Sequence, residues 1–95
     1  MKKVYLISYD LNRPGQDYSG LHTEIKNNST WWHFLDSTWL IYTYEKADQI
    51  VKRLEPHIDK NDFLLVIDVG NDYQGRLTKD AWDWINEKLG KYSLV

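Results

Sequence analysis

Residues 30–44 read TWWHFLDSTWLIYTY and hold three of the five tryptophans and two of the seven tyrosines of this 95-residue chain. Aromatic and β-branched residues favour strands, and the polar pair Asp36-Ser37 interrupts the run where a turn would fall. The stretch therefore predicts a hairpin, and both of its alternating sets of side chains are apolar. A sheet needs only one apolar face to bury its own helices, so something must cover the other face. In the second strand, alternation places Trp31, His33 and Leu35 on one side and Trp32 and Phe34 on the other.

The flanking segments predict an α+β order. Period-two and helical spacings of apolar residues predict further strands at 3–10 and 62–70 and helices at 18–28, 45–58 and 77–90. Pro56 should end the second helix near Glu55, and Gly90 should end the third. Residues 62–70 are almost continuously apolar, which predicts a fourth strand that is buried on both faces.

The order β-α-β-β-α-β-α is satisfied most simply by a ferredoxin-like fold with an additional C-terminal helix. In that fold two crossover helices pack on one face of an antiparallel sheet of strand order 4-1-3-2. We expect one domain over residues 1–95, with a core at 1–69 and a loop and helix at 70–95. The C-terminal helix, a second copy in a twofold dimer, or stacked single-stranded bases could cover the remaining face. We favour the dimer, with the C-terminal helix assisting.

Charge and composition narrow the function classes. The net charge is −2, from 12 basic and 14 acidic residues, which disfavours strong binding to a phosphate backbone. The chain has no cysteine, so a thiolate nucleophile and a cysteine metal site are excluded. The N-terminus enters a strand without a long apolar stretch or a cleavage signal, which predicts a cytoplasmic protein without a membrane segment.

Three carboxylates are predicted to share one rim of the sheet, because strands one and two run one way and strands three and four run back. Asp10 ends strand one, Asp36 lies in the hairpin and Asp62 opens strand four. Carboxylate oxygens suit Mg²⁺, which can activate water against a phosphodiester. Asp36 and Asp62 are better interpreted as turn residues, which leaves Asp10 as the candidate metal ligand and catalytic residue. His33, beside tryptophans, is better interpreted as a structural histidine than as a general base.

The stretches YLISYDLNRPGQDY, WWHFLDSTWLI and DKNDFLLVIDV, within residues 3–69, resemble the SinR-like family of small bacterial and phage proteins. More distantly, Tyr9-Asp10 and STWLIYTYE are similar to the small dimeric CRISPR-associated protein that works beside the spacer integrase. That family forms ferredoxin-like dimers by packing sheet faces, and some members are metal-dependent nucleases with the strand-one aspartate as ligand. The resemblance therefore implies a homodimer, and it implies a metal-ligand role for Asp10. The family usually has a basic run after its Tyr-Asp, where this chain has Arg13 alone.

Together these features predict a non-catalytic dimeric module that binds a protein partner or, weakly, nucleic acid, in a phage, mobile-element or defence setting. The alternative is a Mg²⁺-dependent endonuclease for RNA or DNA, with Asp10 as ligand in the dimer cleft. No other cofactor is expected. The side chains expected at the binding surface or interface are Tyr9, Arg13, Trp31, Trp32, Trp39 and Tyr42.

Overall fold

The structure is a computed structural model, and it describes residues 1–12, 17–27 and 29–90. Among these residues it contains four strands, three α-helices and a short 3₁₀ turn. In chain order they are β1 (Lys3–Asp10), α1 (Ser19–Lys26), β2 (Thr30–Leu35), β3 (Thr38–Thr43), α2 (Ala47–Leu54), the 3₁₀ turn (Glu55–His57), β4 (Phe63–Asp68) and α3 (Lys79–Lys88).

The four strands form one antiparallel sheet in the order β2-β3-β1-β4. β1 pairs with both β3 and β4, and β3 also pairs with β2, so β2 and β4 are the edge strands. This order is 4-1-3-2 viewed from the other edge. The predicted α+β class and the predicted strand order are therefore confirmed.

The helix ends follow the local signals in the sequence. α2 ends at Leu54, and the 3₁₀ turn that contains Pro56 follows, because proline cannot donate a backbone hydrogen bond to a continuing α-helix. Thr78 caps α3, since its hydroxyl accepts a hydrogen bond from the Ala81 N–H at 3.2 Å. Gly90 follows α3 with a φ of 76°, in the left-handed region that glycine adopts without a steric penalty.

The sheet buries apolar side chains on both of its faces. We call the face that packs against α1 and α2 the first face, and the face that packs against α3 the second face. α3 therefore supplies, within the same chain, part of the second layer that the composition required. The buried residues of the first-face core are Tyr5, Ile7, Leu21, Ile25, Trp39, Ile41, Ile50 and Leu54, and those of the second-face core are Val4, Trp32, Leu40, Ala81 and Ile85.

One predicted side-chain direction was wrong. Regular alternation places Leu35 on the same face as Trp31, but the pairing of β2 with β3 contains a register shift between Trp32 and Leu35. After the shift Leu35 pairs with Thr38, which lies on the second face, and Leu35 lines a cleft with the start of α3. A bulge of this kind moves every later side chain to the other face, and nothing in the residue pattern of β2 marks its position.

Candidate functional site

Three large apolar side chains of β4 are exposed on the second face. Phe63, Leu65 and Ile67 keep 68%, 54% and 48% of their surface accessible, and we call these three residues the β4 strip. The prediction that strand four is buried on both faces was wrong. Leu64 and Val66 pack against the first-face core, but the second-face core that includes α3 is built on β1, β2 and β3. The helix does not extend over the edge at β4, so the β4 strip stays exposed.

Asp10 lies at one end of the β4 strip. In the register of β1 with β4, Asp10 is directly opposite Phe63 and Ser8 is directly opposite Leu65. A shallow cavity of about 220 Å³ is lined by these residues together with Tyr9. The candidate metal ligand and the exposed apolar surface are therefore neighbours on the sheet.

A second cleft, of about 350 Å³, extends from Asp10 to the β2–β3 turn. Two of the three carboxylates predicted to share a rim therefore line the same cleft, together with an imidazole. Its lining residues are Tyr9, Asp10, Leu11, His22, Asp36 and Ser37. Within the described ranges, no group of three or more histidine and carboxylate side chains is placed to hold a metal ion. The donor set here is two carboxylates, and Mg²⁺ at Asp10 stays a prediction.

The third carboxylate, Asp62, has the turn role that was predicted for it. It is 8% exposed. Its oxygens accept hydrogen bonds from the backbone N–H groups of Asn12 and Asp59, each at 2.7 Å, and from the Tyr18 hydroxyl at 2.8 Å. These bonds join the segment after β1, the start of α1 and the loop before β4. Asp62 thereby positions the chain on which Asp10 lies.

Tyr9 is the centre of an aromatic and histidine cluster on the first face. The Trp39 Nε1–H donates a hydrogen bond to the Tyr9 hydroxyl at 3.0 Å, and that hydroxyl lies 3.2 Å from His22 Nε2. The His33 ring stacks on Trp39, with 3.6 Å between ring centroids and 10° between ring planes. Because the indole nitrogen can only donate, the Tyr9 proton can be donated to His22 when Nε2 is unprotonated.

The two ionisable groups of this pair are held in their neutral forms. Burial raises the pKa of Tyr9; the hydrogen bond from Trp39 opposes that rise, and the Asp36 carboxylate adds to it. Burial lowers the pKa of His22, and the nearby His33 and Lys26 lower it further. The neutral forms lower the cost of burying these two polar side chains beside Trp39.

The residues predicted for the binding surface are divided between core and surface. Trp32 and Trp39 are buried at 3% and 1% exposure, Tyr9 and Tyr42 are half-buried, Trp31 is 42% exposed, and Arg13 lies outside the described residues. Searches of protein-family models, curated proteins and solved structures found no match to this chain. In the part of the chain that the structure describes, no helix is both long enough and apolar enough to cross a membrane.

The residues of the β4 strip are not among those predicted for the binding surface, although the sequence contained the signal. The run FLLVID at 63–68 has apolar residues at both alternating sets of positions, and the predicted strand order already placed it at an edge. The C-terminal helix can cover only part of the second face, because a helix is about 10 Å wide with its side chains and four strands span about 15–20 Å. Edge position and a doubly apolar strand together indicate exposure on one face.

Proposed function

We propose that the chain is a non-catalytic homodimeric binding module with a ferredoxin-like fold, working in the cytoplasm, and that the two copies contact each other through the β4 strip. The confirmed strand order and the placement of α1 and α2 on one face support the ferredoxin-like assignment. The observation that carries the dimer is the exposure of the β4 strip, three large apolar side chains at successive same-face positions of one edge strand. Burying such a surface stabilises association by about 25 cal/mol for each Å² of apolar area.

A protein surface fits the β4 strip better than a nucleic acid does. The Asp10 carboxylate is next to Phe63 at one end of the strip, and it would repel a phosphate backbone. The net charge of −2 acts in the same direction. α3 is already packed on the other part of the second face, so the remaining part is the surface left for a second copy.

The replacement Leu65→Lys should convert the dimer to a monomer with the fold retained. Leu65 is half exposed in the single chain, so lysine is tolerated there, but in the dimer its ammonium group would lie against the apolar strip of the second copy. Sedimentation velocity gives the mass, and circular dichroism checks the fold. Tyr44→Lys is the matched control, since Tyr44 is 73% exposed at the end of β3, outside the β4 strip. A wild-type chain that sediments as a monomer at all accessible concentrations would refute the dimer.

A second candidate function is metal-dependent cleavage of RNA or DNA at Asp10. The position of Asp10 favours it, because the exposed carboxylate borders both the β4 strip and the cleft that contains Asp36 and His22. Asp10, with Asp36 beside it, would hold Mg²⁺, and the bound ion supplies Lewis acidity toward a phosphodiester.

Comparison of the wild type with Asp10→Asn separates the two functions. With single-stranded RNA and duplex DNA, each tested with and without Mg²⁺, we expect no cleavage by either protein. Asp80→Asn, on an exposed residue of α3, controls for the change in charge. Mg²⁺-dependent cleavage by the wild type and Asp80→Asn that disappears in Asp10→Asn would replace the non-catalytic assignment with the nuclease.

A further inference from the structure

The two edges of the sheet differ in how well they resist pairing with another strand. Edge strands present unpaired backbone groups, and proteins protect them with bulges, prolines and lysines. β2 is protected in two ways: it has the register shift after Trp32, and the Lys26 ammonium lies 4.7 Å from the ring centre of the exposed Trp31. β4 pairs with β1 at six consecutive described positions without a shift, and its sequence, FLLVID, has no lysine and no proline. The free edge of β4 is therefore suited to strand pairing.

The β4 strip is symmetric about Leu65, with Phe63 two residues before it and Ile67 two residues after it. Residues directly opposite in an antiparallel pair lie on the same face of the sheet. With a twofold axis at Leu65, a second β4 sets Leu65 opposite Leu65 of the partner subunit, and Phe63 opposite Ile67 of the partner subunit. Every residue of the strip then has an apolar cross-strand neighbour.

The charges that flank β4 favour the antiparallel direction. Lys60 comes shortly before the strand and Asp68 ends it, and both side chains are exposed. With the axis at Leu65, Lys60 lies diagonally across from Asp68 of the partner subunit at both ends of the interface. Asp62, which is directly opposite that Asp68, is buried, and its oxygens accept hydrogen bonds from Asn12, Tyr18 and Asp59. Parallel pairing would bring like charges together. Asp68 also forms a 3.4 Å ion pair with Lys3, but this pair is more than half exposed and leaves Asp68 accessible.

We propose that two copies of the chain pair β4 with β4 in antiparallel orientation, with the twofold axis at Leu65, and so form one continuous eight-stranded sheet. This inference rests on the proposed homodimer and specifies how the second copy contacts the β4 strip: the two strips meet side by side along the free edge of β4, and no second sheet lies over them. The same register sets Leu64 opposite Val66 of the partner subunit, which extends the first-face core across the boundary. If the twofold axis lay at Val66 and not at Leu65, the strip would be off-centre. Phe63, the most exposed residue of the strip, would then be opposite the partly buried Val69 of the partner subunit.

A single engineered cysteine tests this geometry, because the chain has no cysteine of its own. A disulfide needs Cα atoms within roughly 4.4–6.8 Å of each other, and opposite residues in antiparallel strands are about 4.5–5.5 Å apart. Leu65→Cys should therefore become mostly a covalent dimer under mild oxidation. Two sheets packed face to face lie about 10 Å apart, which is too far for this bond. Leu35→Cys, with 48% exposure at the protected edge, is the matched control and should stay reduced.

A mixture of two variants tests the register. Phe63→Cys and Ile67→Cys should form a disulfide with each other when the two variants are mixed. Neither should form one when oxidised alone, because in a dimer of one variant the two cysteines are about four residues apart along the strand, roughly 13 Å. A wild-type dimer in which neither Leu65→Cys nor the mixture cross-links would overturn the edge pairing and leave the homodimer standing. A wild-type monomer would overturn both.

Discussion

Trp39→Ala should lower the free energy of unfolding by about 3–5 kcal/mol. The side chain is 1% exposed in the first-face core, so its removal leaves a large cavity. It also removes the Nε1–H that bonds the Tyr9 hydroxyl and the ring on which His33 stacks. Single domains of this size are stable by only about 5–15 kcal/mol, so the loss could be most of the total. Urea denaturation followed by circular dichroism measures it.

Two further variants separate the contributions to this loss. Trp39→Phe keeps a ring in the core and removes the indole donor, so it should lose less, about 1–2 kcal/mol. Trp31→Ala removes the same side chain from the neighbouring exposed position, and its loss should be below about 1.5 kcal/mol because that ring is already 42% exposed. Equal losses for Trp31→Ala and Trp39→Ala would contradict the assignment of Trp39 to the core.

The hairpin illustrates what the sequence predicts and where such prediction stops. Alternation and turn residues are local signals, so they identify β2, the turn and β3. The shift after Trp32 depends on how two strands meet, and it places Leu35 on the opposite face from the one predicted. The difference between Trp31 and Trp39, which face the same side of the sheet, is likewise tertiary. Trp39 lies on an inner strand and Trp31 on an edge strand. Because both residues are tryptophan, residue type alone cannot distinguish the buried position from the exposed one.

The candidate site was only partly predictable for the same reason. The direction of the strands predicts that Asp10 and Asp36 lie at one rim, and they line one cleft. Asp62 shares that rim in the sequence-based topology, but its oxygens turn toward Asn12 and Tyr18. Loop conformation decides which carboxylates face solvent. The residue types found in turns carry little information about that conformation. How far α3 extends over the second face depends on the path of residues 69–78, and the exposure of the β4 strip follows from it.

Arg53 is the other side chain whose loss should be costly. Its guanidinium donates two hydrogen bonds to the Glu45 carboxylate, from Nε at 2.7 Å and from Nη2 at 2.9 Å, and a third to the Glu24 carbonyl. The group joins α2 to the end of β3 and to α1, and it is only 15% exposed. Removing one partner of a buried ion pair leaves the other charge buried without a partner, which costs about 3–5 kcal/mol of stability. An exposed ion pair contributes below about 1 kcal/mol.

Arg53→Met should therefore lower the free energy of unfolding at pH 7 by roughly 2–4 kcal/mol, between the buried and exposed limits. The variant should also lose part of its pH dependence. The pKa of Glu45 is lowered, and the hydrogen bonds from Arg53 are the largest cause. Burial opposes this lowering, whereas the charge of Arg53 and a hydrogen bond from Thr43 add to it. A carboxyl whose pKa is lower in the folded state than its unfolded value, near 4.5, stabilises the fold at pH values above 4.5. This contribution to stability is lost as the pH falls through the folded-state pKa.

Unfolding free energies measured from pH 7 down to pH 3 should thus converge for the wild type and Arg53→Met as Glu45 takes up its proton. Lys52→Met is the matched control, because Lys52 lies on the same helix, carries the same charge and is exposed. Parallel curves for the wild type and Arg53→Met, separated by a constant amount over the whole range, would show that Arg53 acts through packing of its alkyl chain and that its charge contributes little. Convergence requires the charged pair, since protonation of Glu45 can remove only the part of the stability that depends on its negative charge.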